Sequence, residues 1–182
     1  LHLQRLYERG AEVFGTLDAM KGEALAEYIV VKKETIYTKP NNVSFETASA
    51  ILTGATTATF LLNKSKAKSG DDILINGASG GVGMIAVQLA KINGINVTAV
   101  ASGAGLDYIK KWNPQNAIDY KNEKVENRPE KYHAIFELAG SLPFSKAKQL
   151  LKPNGIYVTT LPTPVDMLKA FFNNLFSSKK NI

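Results

Sequence analysis

At 182 residues, 45% of them hydrophobic and 21% charged, the chain has ordinary globular composition and enough length for one domain and a fraction of another. It has no cysteine and only two histidines, His2 and His133, which excludes a disulfide framework, a thiolate site and a structural zinc site. The net charge of +6 is scattered without interleaved aromatics, so it reads as a solvated basic surface rather than a nucleic-acid interface, and no apolar run approaches a membrane span.

In chain order, Ala26–Val31 (AEYIVV) reads as a strand, because Tyr28, Ile29, Val30 and Val31 are β formers. Lys39-Pro40-Asn41-Asn42 breaks it. Ser44 opens a helix with an acidic first turn, and a second helix is expected over about residues 54–65. From Ser69 the pattern alternates. Asp72–Asn76 (DILIN) is a short apolar run suited to a strand buried on both faces. Val82–Ile92 is a helix with Ile85, Leu89 and Ile92 on one stripe, ended by Gly94. Asn96–Ala101 is a second strand, Leu106–Trp112 a helix stopped at Asn113-Pro114, Ala117–Asp119 a short third strand and Ala134–Leu138 a fourth. Phe144–Leu151 is a helix stopped by Pro153-Asn154-Gly155, Ile156–Thr160 a fifth strand and Asp166–Phe176 an amphipathic helix.

Strands alternating with helices at this spacing specify right-handed βαβ units, hence an α/β fold with a doubly wound parallel sheet of Rossmann type. The expected order is 3-2-1-4-5 with the sixth strand missing, which leaves the fifth as a free edge that invites self-association.

Asn76-Gly77-Ala78-Ser79-Gly80-Gly81-Val82-Gly83 joins the first of these strands to its helix. The spacing Ala78-x-Gly80-x-x-Gly83 is a dinucleotide fingerprint with Ala in its first place. A small residue at 78 permits the tight turn, Gly80 lets the backbone approach a diphosphate, and Gly83 lets helix and strand pack closely. The diphosphate would then lie on N–H groups at the positive end of a helix dipole. The second strand runs into Ala101-Ser102-Gly103-Ala104-Gly105, and the next acid is Asp107. With no carboxylate there to take a ribose 2′-hydroxyl, NADP is expected as cofactor, with NAD as the alternative.

These segments together resemble the quinone oxidoreductase (ζ-crystallin-like) branch of the medium-chain dehydrogenase/reductase superfamily. Ala11–Gly15 (AEVFG) and Gly22–Val30 (GEALAEYIV) are similar to the end of its GroES-like catalytic domain. Leu52–Ala58 (LTGATTA) resembles its inter-domain helix, Ala78–Gly83 its AxxGGVG, Ala117–Tyr120 (AIDY) its (V/I)-I-(D/N)-Y, Phe136–Gly140 (FELAG) its F-D-x-x-G and Leu151–Gly155 (LKPNG) its L-K-P-G-G turn.

The resemblance implies a zinc-independent, NADPH-dependent reductase of quinones or α,β-unsaturated carbonyls, cytoplasmic and homodimeric. It implies that residues 1–42 are the remnant of a GroES-like domain, that 43–182 form an NAD(P)-binding Rossmann domain, and that the sequence is cut short at both ends. Ser79, Gly80, Gly81 and Val82 would hold the diphosphate. Ser102 and Tyr120 would flank the 2′-phosphate, and Thr56, Leu138 and Thr160 would position the nicotinamide. Some relatives grip the phosphate with a Lys or Arg where this chain has Ala104 and Gly105; Lys110 or Lys111 could compensate, or be solvated helix charges. Glu137 is expected to be solvated or to cap a helix, and His133 to lie at the surface. No nucleophile–base or carboxylate pair has recognisable spacing, so no catalytic residue is nominated. The alternative is a non-catalytic NADP(H)-binding module.

Overall fold

The computed structural model describes residues 7–17, 25–162 and 180–181. The chain divides into two compact units, Leu1–Thr53 and Gly54–Ile182.

In the first unit, β1 (Val13–Gly15) pairs antiparallel with β2 (Ile36–Thr38). The strand expected over Ala26–Val31 does not form. Residues 28–32 carry no regular structure, and Leu25, Tyr28 and Val30 are almost fully exposed. β propensity expresses packing against a neighbouring strand, and this segment has none among the described residues. Lys39 is buried; it pairs with Glu12 at 3.0 Å and donates to the Val43 carbonyl at 2.7 Å.

A single helix, α1 (Phe45–Ser65), replaces the two expected helices. Gly54, which costs an isolated helix about 1 kcal/mol, passes through it unbroken. A Cβ there would lie 2.7 Å from Ile85 Cδ1 and 3.2 Å from the Gly81 carbonyl oxygen, so the glycine lets this turn of α1 close on the next helix.

Among the described residues, the second unit holds a six-stranded parallel sheet. Its strands are β3 (Asp72–Asn76), β4 (Asn96–Ala101), β5 (Asn116–Asp119), β6 (Tyr132–Glu137), β7 (Leu151–Thr159) and β8 (Lys180–Asn181), in the order β5-β4-β3-β6-β7-β8. Read from β3 as the first strand, this is the expected 3-2-1-4-5. The sixth place is not empty: β8 pairs parallel with Ile156 and Tyr157, so β7 is not a wholly free edge. The helices are α2 (Gly81–Ile92), α3 (Gly103–Lys110) and α4 (Phe144–Ala147), the last continued by a 3-10 turn over Lys148–Leu150. α3 starts three residues earlier than expected because Ser102, with extended backbone, begins it at once after β4. Lys152–Gly155 lie within β7 rather than before it. Ala134 pairs with Ile156 while Tyr132 pairs with Leu151, so the extra residues bulge, with Asn154 left-handed at φ 63°. The helix expected over Asp166–Phe176 lies outside the described residues.

Period-two alternation splits the core. Ile73, Ile75, Val97, Ala99, Phe136 and Val158 face one side with Ala58, Leu61, Ala86 and Val87. Leu74, Val100, Ile118, Ile135 and Tyr157 face the other with Leu142 and Leu150. Each fully buried Ile, Leu or Phe contributes about 1.5–3 kcal/mol.

Candidate nucleotide-binding site

β3 delivers the chain to the C-terminal edge of the sheet between β4 and β6, the point where strand order reverses and where open α/β sheets bind ligands. There Gly77–Gly80 turn into α2. Ala78 is fully buried, and its N–H and that of Gly77 both donate to the Val100 carbonyl. Gly80 is the N-cap of α2 and has no side chain to satisfy the first-turn N–H groups. Gly83 is demanded by packing: a Cβ would lie 2.3 Å from the Gly77 carbonyl oxygen and 2.8 Å from Ala78 backbone atoms. The turn is thus small where it meets the sheet and bare where it meets solvent, and α2, twelve residues long, aims its positive end outward.

Beside this turn lies a cleft of about 540 Å³. Asn76, Gly77 and Ser79 form its floor, Val100, Ala101 and Tyr120 one wall, Ala139, Ser141 and Leu142 the other, and Glu123–Glu126 its rim. The rim exists because the β5–β6 crossover contains no α-helix, only a 3-10 turn over Val125–Asn127.

Of the residues singled out in the sequence, Ser79 and Tyr120 border the cleft. Tyr120 is 60% exposed, and its N–H donates to the Ala101 carbonyl, which ties the end of β5 to that of β4. The Ser102 hydroxyl is buried and makes no hydrogen bond of good geometry. It nevertheless lies close enough to Asp119 to help hold that carboxyl below the usual range, behind the larger effect of the Lys121 N–H. Leu138 and Thr160 anchor the loops after β6 and β7, their N–H groups donating to Asn76 and Glu137 carbonyls. Thr56 is exposed on α1, two residues past the contact of Gly54 with α2, and does not border the cleft. Val82 is half-buried in the first turn of α2, and Gly81 is open to solvent, with no atom where its Cβ would be. Lys110 pairs with Asp107 at 3.6 Å, and Lys111 lies over the Tyr108 ring.

Glu137 departs from expectation. It is neither solvated nor a helix cap but buried, at 2% exposure. Its carboxylate accepts from Asn76 Nδ2 at 2.7 Å and from the N–H groups of Ala139 at 2.8 Å, Leu142 at 3.1 Å and Ser141 at 3.3 Å. Asn76 Nδ2 also reaches Ser141 Oγ at 2.9 Å. Four neutral donors thereby satisfy one buried carboxylate and fix loop 138–142, the far wall of the cleft. His133 is half-buried at the opposite edge of the sheet, in an ion cluster with Asp71, Asp72 and Lys152.

Comparisons with known proteins agree with this geometry. Residues 81–174 match the family described as zinc-binding dehydrogenase. The chain is 32% identical over 186 residues to the chloroplastic quinone-oxidoreductase QR1 of Triphysaria versicolor, covering 97% of this chain and 56% of the relative. It is 31% identical over 167 residues to the chloroplastic NADPH-dependent alkenal/one oxidoreductase of Arabidopsis thaliana, covering 86% of this chain and 43% of the relative. The solved quinone oxidoreductase of Coxiella burnetii superimposes with a TM-score of 0.72 at 27% identity, over 82% of this chain and 47% of that one. The chain thus spans about half the length of the curated relatives it matches. Among the described residues, the zinc of the family description finds no fitting donors. The sequence has no cysteine, and among the described residues no three His, Asp or Glu side chains converge as metal ligands. A parallel sheet in the order 3-2-1-4-5, the glycine turn at its switch point and these matches have one explanation: the chain belongs to the zinc-binding dehydrogenase family, in the quinone oxidoreductase branch of the medium-chain dehydrogenase/reductase superfamily.

Proposed function

We propose that this chain is the nucleotide-binding part of a zinc-independent, NADPH-dependent oxidoreductase acting on quinones or α,β-unsaturated carbonyl compounds. The observation that carries the reading is the bare N-terminus of α2 beside the cleft at the switch point. The names of the relatives, a quinone-oxidoreductase and an NADPH-dependent alkenal/one oxidoreductase, support the substrate class and the cofactor. The residues present fit a dinucleotide: the turn Ala78–Gly83 offers N–H groups to a diphosphate, and no acid stands at the end of β4 to select an unphosphorylated ribose.

On this reading Ser79, Gly80, Gly81 and Val82 hold the diphosphate, and Ser102 and Tyr120 flank the 2′-phosphate. Thr56, Leu138 and Thr160 position the nicotinamide, and Ala78 and Gly83 shape the turn. The nucleotide, when bound, supplies the hydride; the chain contributes orientation and exclusion of water. Residues 1–42 are read as the end of a GroES-like domain and 43–182 as the NAD(P)-binding domain. We also assign a homodimer and the cytoplasm. In support of assembly, among the described residues β8 pairs with Ile156 and Tyr157 of β7 and leaves the rest of that edge unpaired. The organelle names of the relatives make cell fractionation the test of compartment, and sedimentation across concentrations the test of assembly.

Calorimetric titration with NADPH and then NADH tests the cofactor reading. Saturable binding that favours NADPH is expected; tighter binding of NADH, or of neither, refutes it. Oxidation of NADPH by a quinone or a 2-enone in the presence of the whole protein tests the reaction.

A further inference from the structure

We propose that Lys124 is the cation that recognises the 2′-phosphate and so sets the preference for NADP(H) over NAD(H). The proposal rests on the nucleotide reading given above. A phosphate monoester carries about −1.5 to −2 charges near neutral pH and needs a cation or several donors around it. The source in some relatives, a long basic side chain just after β4, is absent here, where Ala104 and Gly105 stand, and at Gly105 the structure leaves little room for one. A Cβ on Gly105 would lie 2.7 Å from both Cβ and Oγ of Ser79, inside the diphosphate turn itself. Lys110 is engaged with Asp107 and Lys111 packs over Tyr108. Neither borders the cleft.

Among the described residues, Lys124 is the one cationic side chain on the cleft rim, between Glu123 and Glu126. It is brought there by the short β5–β6 crossover, which turns at Val125–Asn127 instead of leading away along a helix. The two acids on the same rim have other partners. Glu123 accepts from Arg128 at 2.9 Å, and Glu126 pairs with Lys146 at 3.3 Å. The Glu126 carboxyl is held below its usual range first by its own backbone N–H, against a burial cost, and then by Lys146 and by the charge of Lys124. Without Lys124 a phosphate in this cleft would face two carboxylates. With it, a cation shares the lining of the cleft with Tyr120, at the strand ends where the adenosine ribose is read.

The experiment titrates the 182-residue chain and its K124Q and K124R variants with NADPH and with NADH. Lys124 is exposed on a loop, so both variants are expected to fold, which their circular dichroism checks. K124Q should raise the Kd for NADPH by about ten-fold or more, the scale of a lost charge-assisted hydrogen bond, and leave the Kd for NADH within about two-fold. K124R should retain most of the NADPH affinity. An NADPH-to-NADH affinity ratio that is unchanged in K124Q overturns the proposal and leaves the nucleotide site standing. An unsubstituted chain that binds neither nucleotide overturns both.

Discussion

At the N-terminal edge of the sheet, Lys152 Nζ donates to Asp72 Oδ2 at 2.7 Å, the Asp72 N–H donates to His133 Nδ1 at 2.9 Å, and His133 Nε2 faces Asp71 Oδ1 at 3.3 Å. Asn96 Nδ2 adds a contact to Asp72 Oδ1 at 3.2 Å. At the C-terminal edge the same strands end in a turn with an uncapped helix start and an exposed tyrosine beside an open cleft, and the buried Ser102 hydroxyl nearby has no good partner. One edge is closed by its own side chains; the other leaves polar groups facing outward, which costs stability unless water or a ligand satisfies them. Glu137 stands between these extremes. It is satisfied as fully as the lower edge, but its four donors serve to hold a wall of the upper one.

The contrast can be broken from above. Gly83→Val drives a side chain into the Gly77 carbonyl and the Ala78 backbone. It should lower stability by about 3 kcal/mol and abolish detectable NADPH binding, as read by urea denaturation and titration. Glu137→Ala orphans the N–H groups of Ala139 and Leu142 and leaves Asn76 Nδ2 with Ser141 Oγ as its acceptor. A loss of about 2–3 kcal/mol is expected, with faster hydrogen exchange at both amides, and Glu137→Gln should cost less.

Breaking the lower edge should spare the nucleotide. Burial pushes the Asp72 carboxyl up, but hydrogen bonds from Lys152 and Asn96 and the charge of Lys152 outweigh it and hold the group below its usual range. A carboxyl depressed in the folded state stabilises fully above its unfolded value, about 4, and that stabilisation fades as pH falls through the folded value. Lys152→Ala should therefore cost less than about 1 kcal/mol at neutral pH, since the pair is part exposed. It should flatten the acid limb of stability below about pH 4 and leave the NADPH affinity unchanged. The smallest effect is that of Ser102→Ala: stability within about 0.5 kcal/mol, with NADPH binding weakened about a few-fold, as read by the same titration.

Alternation of apolar runs with helical stripes made the strand order legible, because β3, β4 and β6 are short apolar runs, whereas in β7 the breaker Pro153-Asn154-Gly155 lies inside the strand as a bulge. The glycine turn was legible because its spacing answers to local geometry alone. Four features were hidden. Residues 26–31 have β propensity but no strand to pair with among the described residues. Gly54 looked like a helix boundary, yet its role is a close approach to Ile85, which spacing along α1 does not reveal. The burial of Glu137 depends on how loop 138–142 folds back over it, and the place of Lys124 depends on a crossover that turns without a helix. Both are set by tertiary geometry.

Amide chemical shifts of the labelled chain during NADPH titration test the account most directly. Saturating changes at Gly77–Gly83, Ser102 and Tyr120, with Asp72 and His133 undisturbed, are the predicted result. Saturable binding that moves the amides around Asp72 and His133 and leaves the glycine turn unchanged would contradict it.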